Sequence, residues 1–405
     1  MHRGISNRAR SALSGPGEPA RYRDTAAGNV DVMKSKAAWC VLGVLATGCP
    51  DAEMAEASDE TTGDDGAMVD PGLPGPGWTW RREITIDPGV LGQGLTDFPL
   101  LVRLDNSRIE YDATNAVVPD VRFYDGEIAT ALDFEVERWN PQGNSYFWVR
   151  IPALEDTDAA RSFWIYYGND APPAAPASTA VWTDSFVGVW HMEEAAAGGV
   201  ADSTGHGHDG VLDGGGAQLR VADPLGGALQ IDASSSVLRV PADPSLFPGQ
   251  SMTVEGWVNP ARVDGTSRRA IVRMRDSFEL RSISEDSGDP GTAQGAVWFQ
   301  TSTERNVTAS GPTAEGAWTY FAMTFDQASG DFTLYRDGAV DQTRDPPAEP
   351  MVDGGTDVEM GLEAYGLVDE VRVSSVARSA AWMSAQNLSM TDTLLTFGPA
   401  VPAPG

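Results

Sequence analysis

The 405-residue chain has little cysteine and little positive charge. Cys40 and Cys49 are its two cysteines, and with none beyond residue 49 a disulfide-stapled fold and a cysteine-ligated zinc site are excluded. Lysine occurs only as Lys34 and Lys36, and 28 basic residues stand against 58 acidic ones, a net charge of −30. Nucleic-acid affinity comes from clustered cations that neutralise phosphates, so we expect no nucleic-acid partner.

Long hydrophobic runs are scarce as well. Residues 37–46 (AAWCVLGVLA) form a short one, after a basic stretch and before small residues and Cys49. A membrane-spanning helix needs about 20 apolar residues, so this run is too short to cross a bilayer and has the proportions of a signal peptide. We therefore predict an export signal over residues 33–49.

The end of this segment carries a sharper signal. Residues 45–49 (LATGC) resemble the lipobox of bacterial lipoproteins, in which the cysteine is lipidated and begins the mature protein. The resemblance implies lipidation of Cys49 and an outer-membrane or cell-surface lipoprotein that meets the membrane through its lipid anchor alone. Ala46 stands where that family usually has Leu, Val or Ile, so a periplasmic or secreted protein stays open as the alternative.

Two segments flanking the signal are predicted to be unfolded. Residues 1–32 are rich in Arg, Ser and Gly, and we interpret them as lying upstream of a true start at Met33, with a disordered leader as the alternative. Residues 51–70 carry eight carboxylates and no cation, and 71–77 read PGLPGPG. Such a stretch cannot bury apolar surface, so residues 50–77 are predicted to be an extended, disordered tether.

From residue 78 the pattern changes to short alternating apolar runs separated by turns. Predicted strands of the first part are 82–87, 98–104, 121–124, 132–139, 146–151 and 162–167. No segment of helical period occurs between them, which predicts a small all-β, sandwich-like domain over residues 78–170. The Pro- and Ala-rich residues 171–180 predict a semi-rigid linker.

A second β region follows, over residues 181–398. Predicted strands here are 251–258, 296–301, 318–325, 332–336 and 367–373, with Asp337-Gly338 as a tight turn. About 200 residues of short strands without a helical break predict a jelly-roll sandwich. Residues 399–405 are predicted to be a disordered tail.

Motifs in both regions resemble known families. The first region carries WRR at 80–82, TDFP at 96–99, VRFYD at 121–125, FEVE at 134–137, WVRIP at 148–152 and IYYGN at 165–169. In order and spacing they resemble DUF2341, a bacterial domain of unknown function that implies no activity.

The second region carries VWHMEE at 189–194, DSTGHG at 202–207, ALQID at 228–232, MTVEGWV at 252–258, LYRDG at 334–338 and VDEVRV at 368–373. It resembles the concanavalin A-like, laminin-G-type domain, which implies a jelly roll but no single function, because this sandwich hosts lectins, enzymes and adhesion modules.

The predicted last strand suggests a metal site. Strict alternation over 367–373 places Asp369 on an otherwise apolar face and leaves Glu370 and Arg372 to screen each other in solvent. An acid on an apolar face is costly unless it is paired, hydrogen-bonded or metal-bound. The alternative is that Asp369 accepts backbone hydrogen bonds from a neighbouring turn.

The loop at residues 202–210 is the second part of this hypothesis. It is polar and glycine-rich, and the family resemblance implies that one calcium ion is often held near this loop and the final strand. Calcium takes oxygen ligands from carboxylates and carbonyls. We therefore predict a structural calcium ion bound by Asp202 and Asp369, with Glu193 or Glu194 as a weaker third ligand.

Two other kinds of site, a zinc site and a hydrolase active site, have weaker support in the sequence. His191, His206 and His208 suggest zinc, but nothing in the sequence specifies the remaining ligands. Glu135 and Glu137 share one strand face, as paired carboxyls of a glycoside hydrolase would, yet this spacing is common on exposed strands. The acidic strand motif of laminarinase-type sandwich enzymes is absent, so we predict no catalysis.

Binding is then the predicted role. Aromatic rings stack on sugars, and Trp182 and Tyr365, in predicted loops, are the candidate ligand contacts, whereas strand tryptophans are more often buried. We predict an exported, lipid-anchored monomer that binds a glycan or an extracellular protein without transforming it. A polysaccharide hydrolase or its accessory module, and a purely structural spacer, are the alternatives.

Overall fold

The structure, a computed structural model, describes residues 75–87, 89, 93–114, 119–126, 130–155, 160–183, 185–194, 198–222, 225–263, 268–283, 291–300, 304–345 and 349–404. The predicted leader, the signal peptide with Cys49 and the tether up to residue 74 lie outside these residues. Within the described part, no helix combines the length and the apolar character that crossing a membrane requires.

Strands account for almost all regular structure in the described ranges. They are β1 (Trp80–Ile86), β2 (Leu95–Leu104), β3 (Arg122–Asp125), β4 (Phe134–Arg138), β5 (Ser145–Leu154), β6 (Arg161–Tyr167), β7 (Phe186–Trp190), β8 (Gly199–Val200), β9 (Gly210–Asp213), β10 (Ala217–Ala222), β11 (Gly226–Ile231), β12 (Val237–Val240), β13 (Ser251–Pro260), β14 (Arg269–Met274), β15 (Phe278–Ile283), β16 (Thr292–Trp298), β17 (Glu304–Pro312), β18 (Thr319–Asp326), β19 (Asp331–Arg336), β20 (Ala339–Arg344), β21 (Val358–Met360), β22 (Gly366–Ser374) and β23 (Leu395–Pro402). Helix α1 (Ala380–Met390) precedes β23. The all-β prediction is confirmed.

The strands form two domains. Strands β1–β6 with β23 make the small domain, whose antiparallel sheets run β23-β1-β6-β3 and β2-β5-β4. Strands β7–β22 make the sandwich domain. Its first sheet, the β22 sheet, runs β10-β11-β22-β13-β18-β19-β20 with β7 also paired to β22, and its second, the β14 sheet, runs β17-β16-β15-β14-β21-β12-β9-β8. Apolar residues of both sheets, such as Val254, Leu280 and Phe321, fill the space between them.

The tight turn predicted at Asp337-Gly338 is confirmed. Asp337 and Gly338 join β19 to β20, with Arg336 paired to Ala339 across the turn. Both turn residues have positive φ, 49° and 78°. A two-residue hairpin of this type needs positive φ at both positions, which Asp-Gly tolerates well.

The C-terminus corrects the predicted domain boundaries. Residues 399–402, predicted to be disordered, belong to β23, together with residues 395–398 that were expected in the sandwich domain. Strand β23 pairs antiparallel with β1, placing Leu395 opposite Ile86 and Pro402 opposite Trp80. Prolines weaken a strand signal in the sequence, but they are tolerated at the edge of a sheet, where β23 lies.

Helix α1 is a second correction, because residues 181–398 were predicted to contain no helix. Ser379 caps its first turn and accepts a hydrogen bond from the backbone N–H of Trp382 at 3.3 Å. Neither Gly nor Pro interrupts the following eleven residues. The helix contacts both domains: Ser389 accepts the backbone N–H of Leu101 in β2 at 2.7 Å, and Met390 Sδ accepts the indole N–H of Trp257 in β13 at 3.2 Å.

The small domain shares its hydrophobic core with α1 and with the outer face of the β22 sheet. Buried residues of the small domain, such as Phe98 and Trp148, form a single cluster with Trp382 of α1 and with Trp257 and Tyr320 on the β22 sheet. Each such large side chain contributes about 1.5–3 kcal/mol by its burial. The described residues from 75 to 404 accordingly belong to one compact unit, on both sides of the predicted linker.

Strand β22 contains an extra residue that the alternation rule did not anticipate. Its pairing with β13 shifts between Glu255 opposite Arg372 and Trp257 opposite Asp369, which leaves a β-bulge at Glu370. Glu370 has a φ of 51°, unusual for a non-glycine residue. The bulge means that Asp369 and Val371 do not share a face, and Val371 packs into the sandwich core.

The shared fold predicts that removing β23 destabilises the small domain. Truncation after Leu394 exposes the edge of β1 and removes the buried Leu395, so we expect a loss of at least about 2 kcal/mol in unfolding free energy. Chemical denaturation of the full and truncated chains measures it. Truncation after Ala403, which keeps the hydrogen bond from the Ala403 N–H to the Thr79 carbonyl, is the matched control and should leave stability unchanged. Equal stability of both truncated chains would contradict the assignment of β23.

Candidate functional site

A cluster of charged side chains lies buried where the small domain meets the β22 sheet. We call it the junction cluster, and it comprises Glu135, Glu137, His191, Glu370 and Arg372. The two glutamates alternate along β4, His191 follows β7, and the last two residues lie on β22. In His191, Glu137, Glu370 and Arg372 the side chains are 7%, 1%, 1% and 1% exposed.

His191 is the centre of the cluster. Its Nδ1 lies 2.8 Å from Glu370 Oε1 and 3.9 Å from Glu137 Oε2, and its Nε2 lies 3.4 Å from Glu135 Oε2. The imidazole ring also stacks on the indole of Trp148, with ring centroids 5.7 Å apart. Acids from two domains therefore converge on one histidine.

Each acid is held by further donors. The indole N–H of Trp148 donates to Glu137 Oε2 at 2.7 Å, and that of Trp182 donates to Glu135 Oε2 at 2.6 Å. Arg372 donates to Glu370. These bonds fix the carboxylates in one orientation, as buried polar networks need.

The network continues along the β22 sheet in alternating charge. Arg372 lies 3.8 Å from the carboxylate of Glu255, which in turn accepts a hydrogen bond from the hydroxyl of Tyr320. The guanidinium also lies over the ring of Trp148, 4.3 Å from its centroid. A buried charge is tolerable only when it is paired, and Arg372 lies between the carboxylates of Glu370 and Glu255.

Protonation states follow from these contacts. Burial lowers the pKa of His191, but the carboxylates of Glu370 and Glu135 outweigh burial and hold this pKa well above its usual value. Burial also raises the pKa of Glu370, yet His191 and Arg372 hold it below the usual value. Burial, reinforced by the charge of Glu370, raises the pKa of Glu137 well above the usual value. Without a further cation, these contacts favour the charged forms of His191 and Glu370 and the protonated form of Glu137.

The predicted calcium ligands are not brought together. Asp369 is buried beside Glu370, whose backbone N–H it accepts at 2.8 Å, and burial followed by the charge of Glu370 raises the pKa of Asp369 well above its usual value. Glu193 is paired with Arg138. Asp202 forms its close cluster with two histidines of its own loop instead.

The Asp202 carboxylate is occupied by its own loop. It accepts hydrogen bonds from the backbone N–H groups of Val189, Thr204 and His208 at 3.0–3.2 Å and from the Thr204 hydroxyl at 2.7 and 2.8 Å. The three residues therefore do not fit a shared calcium site, because the bulge in β22 and this loop direct them to different partners. Calcium binding itself stays a prediction.

The zinc hypothesis meets a similar obstacle at the loop. His191 lies in the junction cluster, apart from His206 and His208. His208 uses both ring nitrogens, with Nδ1 2.8 Å from the carbonyl oxygen of Val187 and Nε2 2.7 Å from the hydroxyl of Ser245. These two contacts hold the loop in place and occupy both of the His208 nitrogens that could bind zinc.

The two aromatic residues predicted to contact a ligand, Trp182 and Tyr365, differ in their exposure. Trp182, expected in an accessible loop, is only 4% exposed and packs in the junction, so that prediction is wrong. Its local sequence resembles a linker, but the small domain covers it. Tyr365 is half-buried, and the guanidinium of Arg262 lies 3.8 Å from the centroid of its ring.

Glu370 and Arg372, expected from the sequence as a solvent-exposed pair, are instead buried members of the site. The signal available was an acid and an arginine two residues apart within an apolar strand. Such a pair can be a solvent-exposed ion pair or a buried one, and its exposure depends on the packing of the small domain over β22.

Comparisons with known proteins agree with this architecture. Residues 118–193 match the family model of a domain of unknown function, DUF2341. Residues 232–384 match the concanavalin A-like lectin/glucanases superfamily. No curated protein matches the chain in sequence.

Solved structures resemble about half of the chain. The binding domain of Paraclostridial Mosquitocidal Protein 1 aligns with a TM-score of 0.42 and 13% identity, over 51% of this chain and 52% of that one. The receptor-binding domain of botulinum neurotoxin C/D mosaic serotype gives 0.41 and 12%, over 50% and 51%. Domain 4 of AbnA, a GH43 extracellular arabinanase from Geobacillus stearothermophilus in complex with arabinotriose, gives 0.40 and 17%, over 49% and 97%. The chain thus spans about half the length of the first two structures, and these similarities are too distant to indicate a shared function.

The junction cluster predicts a large cost for removing its buried cation. Arg372→Met leaves the carboxylates of Glu370 and Glu255 without this partner, so we expect a loss of about 3–5 kcal/mol in unfolding free energy, measured by chemical denaturation. Arg344→Met, at an exposed arginine of β20, is the control, with an expected change within about 0.5 kcal/mol. Similar small changes in both variants would show that the ion pairs contribute little.

Proposed function

Since the chain joins a DUF2341 domain to a concanavalin A-like domain, we propose that it is a non-catalytic binding protein whose ligand is a glycan. The binding surface is the outer face of the β14 sheet. The corresponding face of the β22 sheet is occupied, because the small domain and α1 pack against Trp257, Tyr320 and Tyr335. Of the two outer sheet faces, the β14 sheet therefore offers the one not taken up by the domain junction.

A row of six side chains, five of them polar, supports this proposal most directly. In strand register across the β14 sheet, the row runs Arg239, Glu359, Arg273, Glu279, Ala296 and Asn306. Residues flanking them in sequence, such as Leu238 and Met360, point into the sandwich core, so the row faces outward. Glu359 accepts hydrogen bonds from Arg239 at 2.7 Å and from Arg273 at 2.8 Å.

An aromatic ring lies beside the row. Trp298 follows Ala296 by two residues in β16, so both project from the same face of the sheet, and Trp298 is half-buried. The guanidinium of Arg281 lies 5.8 Å from the centroid of the Trp298 ring. A sugar ring stacks its apolar face on such a ring while its hydroxyls bond to nearby Arg, Glu and Asn side chains.

Hydrolysis is less well supported at the acids first considered. Glu135 and Glu137 do lie side by side, but both face the junction and are hydrogen-bonded by tryptophans. The side chains are only 13% and 1% exposed, and a catalytic acid must reach its substrate. We therefore propose binding rather than turnover.

Trp298→Ala tests the proposed surface. The full chain is screened on a glycan array, and the affinity for the best glycan is measured by titration calorimetry. We expect at least about tenfold weaker binding for Trp298→Ala, because the stacking surface is lost. Trp164→Ala is the matched control, because this half-buried tryptophan of the small domain lies under Arg81 as Trp298 lies under Arg281. Binding lost in the control and kept in Trp298→Ala would refute the surface, and no glycan bound at all would refute the function.

We also propose that the protein is exported and held to a membrane by a lipid on Cys49. The support is the sequence LATGC after a short basic and apolar segment, and these residues lie outside the described part of the structure. Cys49→Ser should move the protein from the membrane fraction to the soluble fraction of a bacterial host, because the acceptor thiol is missing. Cys40→Ser is the control, and equal fractionation of both variants with the unmodified protein would contradict lipidation at Cys49.

A further inference from the structure

We propose that the junction cluster binds one divalent transition-metal ion, with Zn²⁺ as the reference case, through His191 Nδ1 and one carboxylate oxygen each of Glu137 and Glu370. The three ligand atoms all lie within 4.8 Å of one another. They come from β4 of the small domain, from the residue after β7, and from β22. This site is independent of the proposed glycan surface on the β14 sheet.

The distances suit a metal of this size. Ligands at about 2.0–2.1 Å from a tetrahedral Zn²⁺ lie roughly 3.3 Å from one another. His191 Nδ1 is 2.8 Å from Glu370 Oε1 and 3.9 Å from Glu137 Oε2, values on either side of that separation. Small side-chain rotations therefore suffice to place the three atoms around one ion.

An unpartnered oxygen points to something missing from the cluster. Glu137 has a side chain only 1% exposed, and its Oε1 has no hydrogen-bond partner among the described residues. A buried carboxylate oxygen without a partner is costly, and native structures rarely leave one. A metal ion bound through Oε1 would give this oxygen its partner, leave Oε2 to the indole N–H of Trp148, and offset the excess of acids around His191.

The surrounding contacts match the outer shell of a metal site. Ligating histidines commonly donate their other ring N–H to a carboxylate, and ligating carboxylates are themselves hydrogen-bonded. With Nδ1 on the metal, His191 Nε2–H faces Glu135 Oε2 at 3.4 Å. Trp148 donates to Glu137, and Arg372 donates to Glu370. Both carboxylate ligands thus have an orienting hydrogen bond already in place, and Glu135 lies near enough to His191 Nε2 to orient the third.

The donor set selects the class of metal. One imidazole nitrogen with two carboxylate oxygens suits Zn²⁺ and similar transition-metal ions, whereas calcium prefers oxygen ligands alone. Because Glu137 belongs to one domain and His191 and Glu370 to the other, the ion would join the two domains. Its binding is then coupled to folding, as in other sites that the unfolded chain does not preform.

Refolding with and without metal tests the site. The full chain is unfolded in guanidinium with EDTA, then refolded in metal-free buffer alone, with Zn²⁺ or with Co²⁺. We expect about one Zn²⁺ per chain by elemental analysis after gel filtration, a higher midpoint of thermal unfolding with Zn²⁺, and a visible absorption band from bound Co²⁺. Less than about a tenth of an equivalent of either metal, with unchanged thermal unfolding, would overturn the proposal.

Variants locate the ion within the cluster. Glu137→Gln and His191→Gln should abolish the Co²⁺ band, and Glu135→Gln, at a positioning residue, should lower Zn²⁺ affinity about 10–100-fold while keeping the stoichiometry. His208→Gln is the matched control, because this buried histidine has both nitrogens hydrogen-bonded elsewhere. Circular dichroism identifies any variant that fails to fold, and the metal content of the unmodified chain tests the site without variants. Metal retained by both ligand variants, or lost only in His208→Gln, would overturn the assignment.

Discussion

The structure depends on covering one face of the β22 sheet. That face carries large apolar side chains such as Trp257 and Tyr320 next to charged groups such as Glu255 and Arg372. If this face were exposed to water, its apolar side chains would not be buried. If it were covered by apolar groups alone, its charges would be buried without partners, at a cost of several kcal/mol each. The small domain and α1 supply both the apolar cover and the opposite charges. The two domains therefore stabilise each other as one unit.

Local backbone geometry makes this junction possible. The extra residue in β22 places Glu370 in a bulge with positive φ, opposite Gly256 of β13. A Cβ at Gly256 would lie 2.8 Å from Ile271, so only glycine allows this close approach. The bulge lets β22 contribute valines to the sandwich core and, from the same short stretch, an acid and an arginine to the junction. Strain of this kind persists where the surrounding structure over-determines it.

The arrangement divides the sandwich between two tasks. One sheet is committed to the junction, where His191 connects acids from both domains. The other sheet carries its own charged row, paired across neighbouring strands and facing outward. Because the small domain covers the β22 sheet, binding at the outer surface of the sandwich is left to the β14 sheet. A mutation in the junction should therefore not alter the charged row of the β14 sheet beyond its effect on stability, and the same holds in the opposite direction.

Local sequence determined the strands with the clearest alternation, such as β13 and β18, and the Asp337-Gly338 turn, because alternation and turn chemistry act between residues close in the chain. It also indicated both families and the shared face of Glu135 and Glu137. Tertiary structure alone decided the pairing of β23 with β1, the burial of Trp182 and the contact of His191 with Glu370, residues 179 positions apart. Whether a polar strand residue meets water or another domain depends on what packs over it, and no local pattern carries that information.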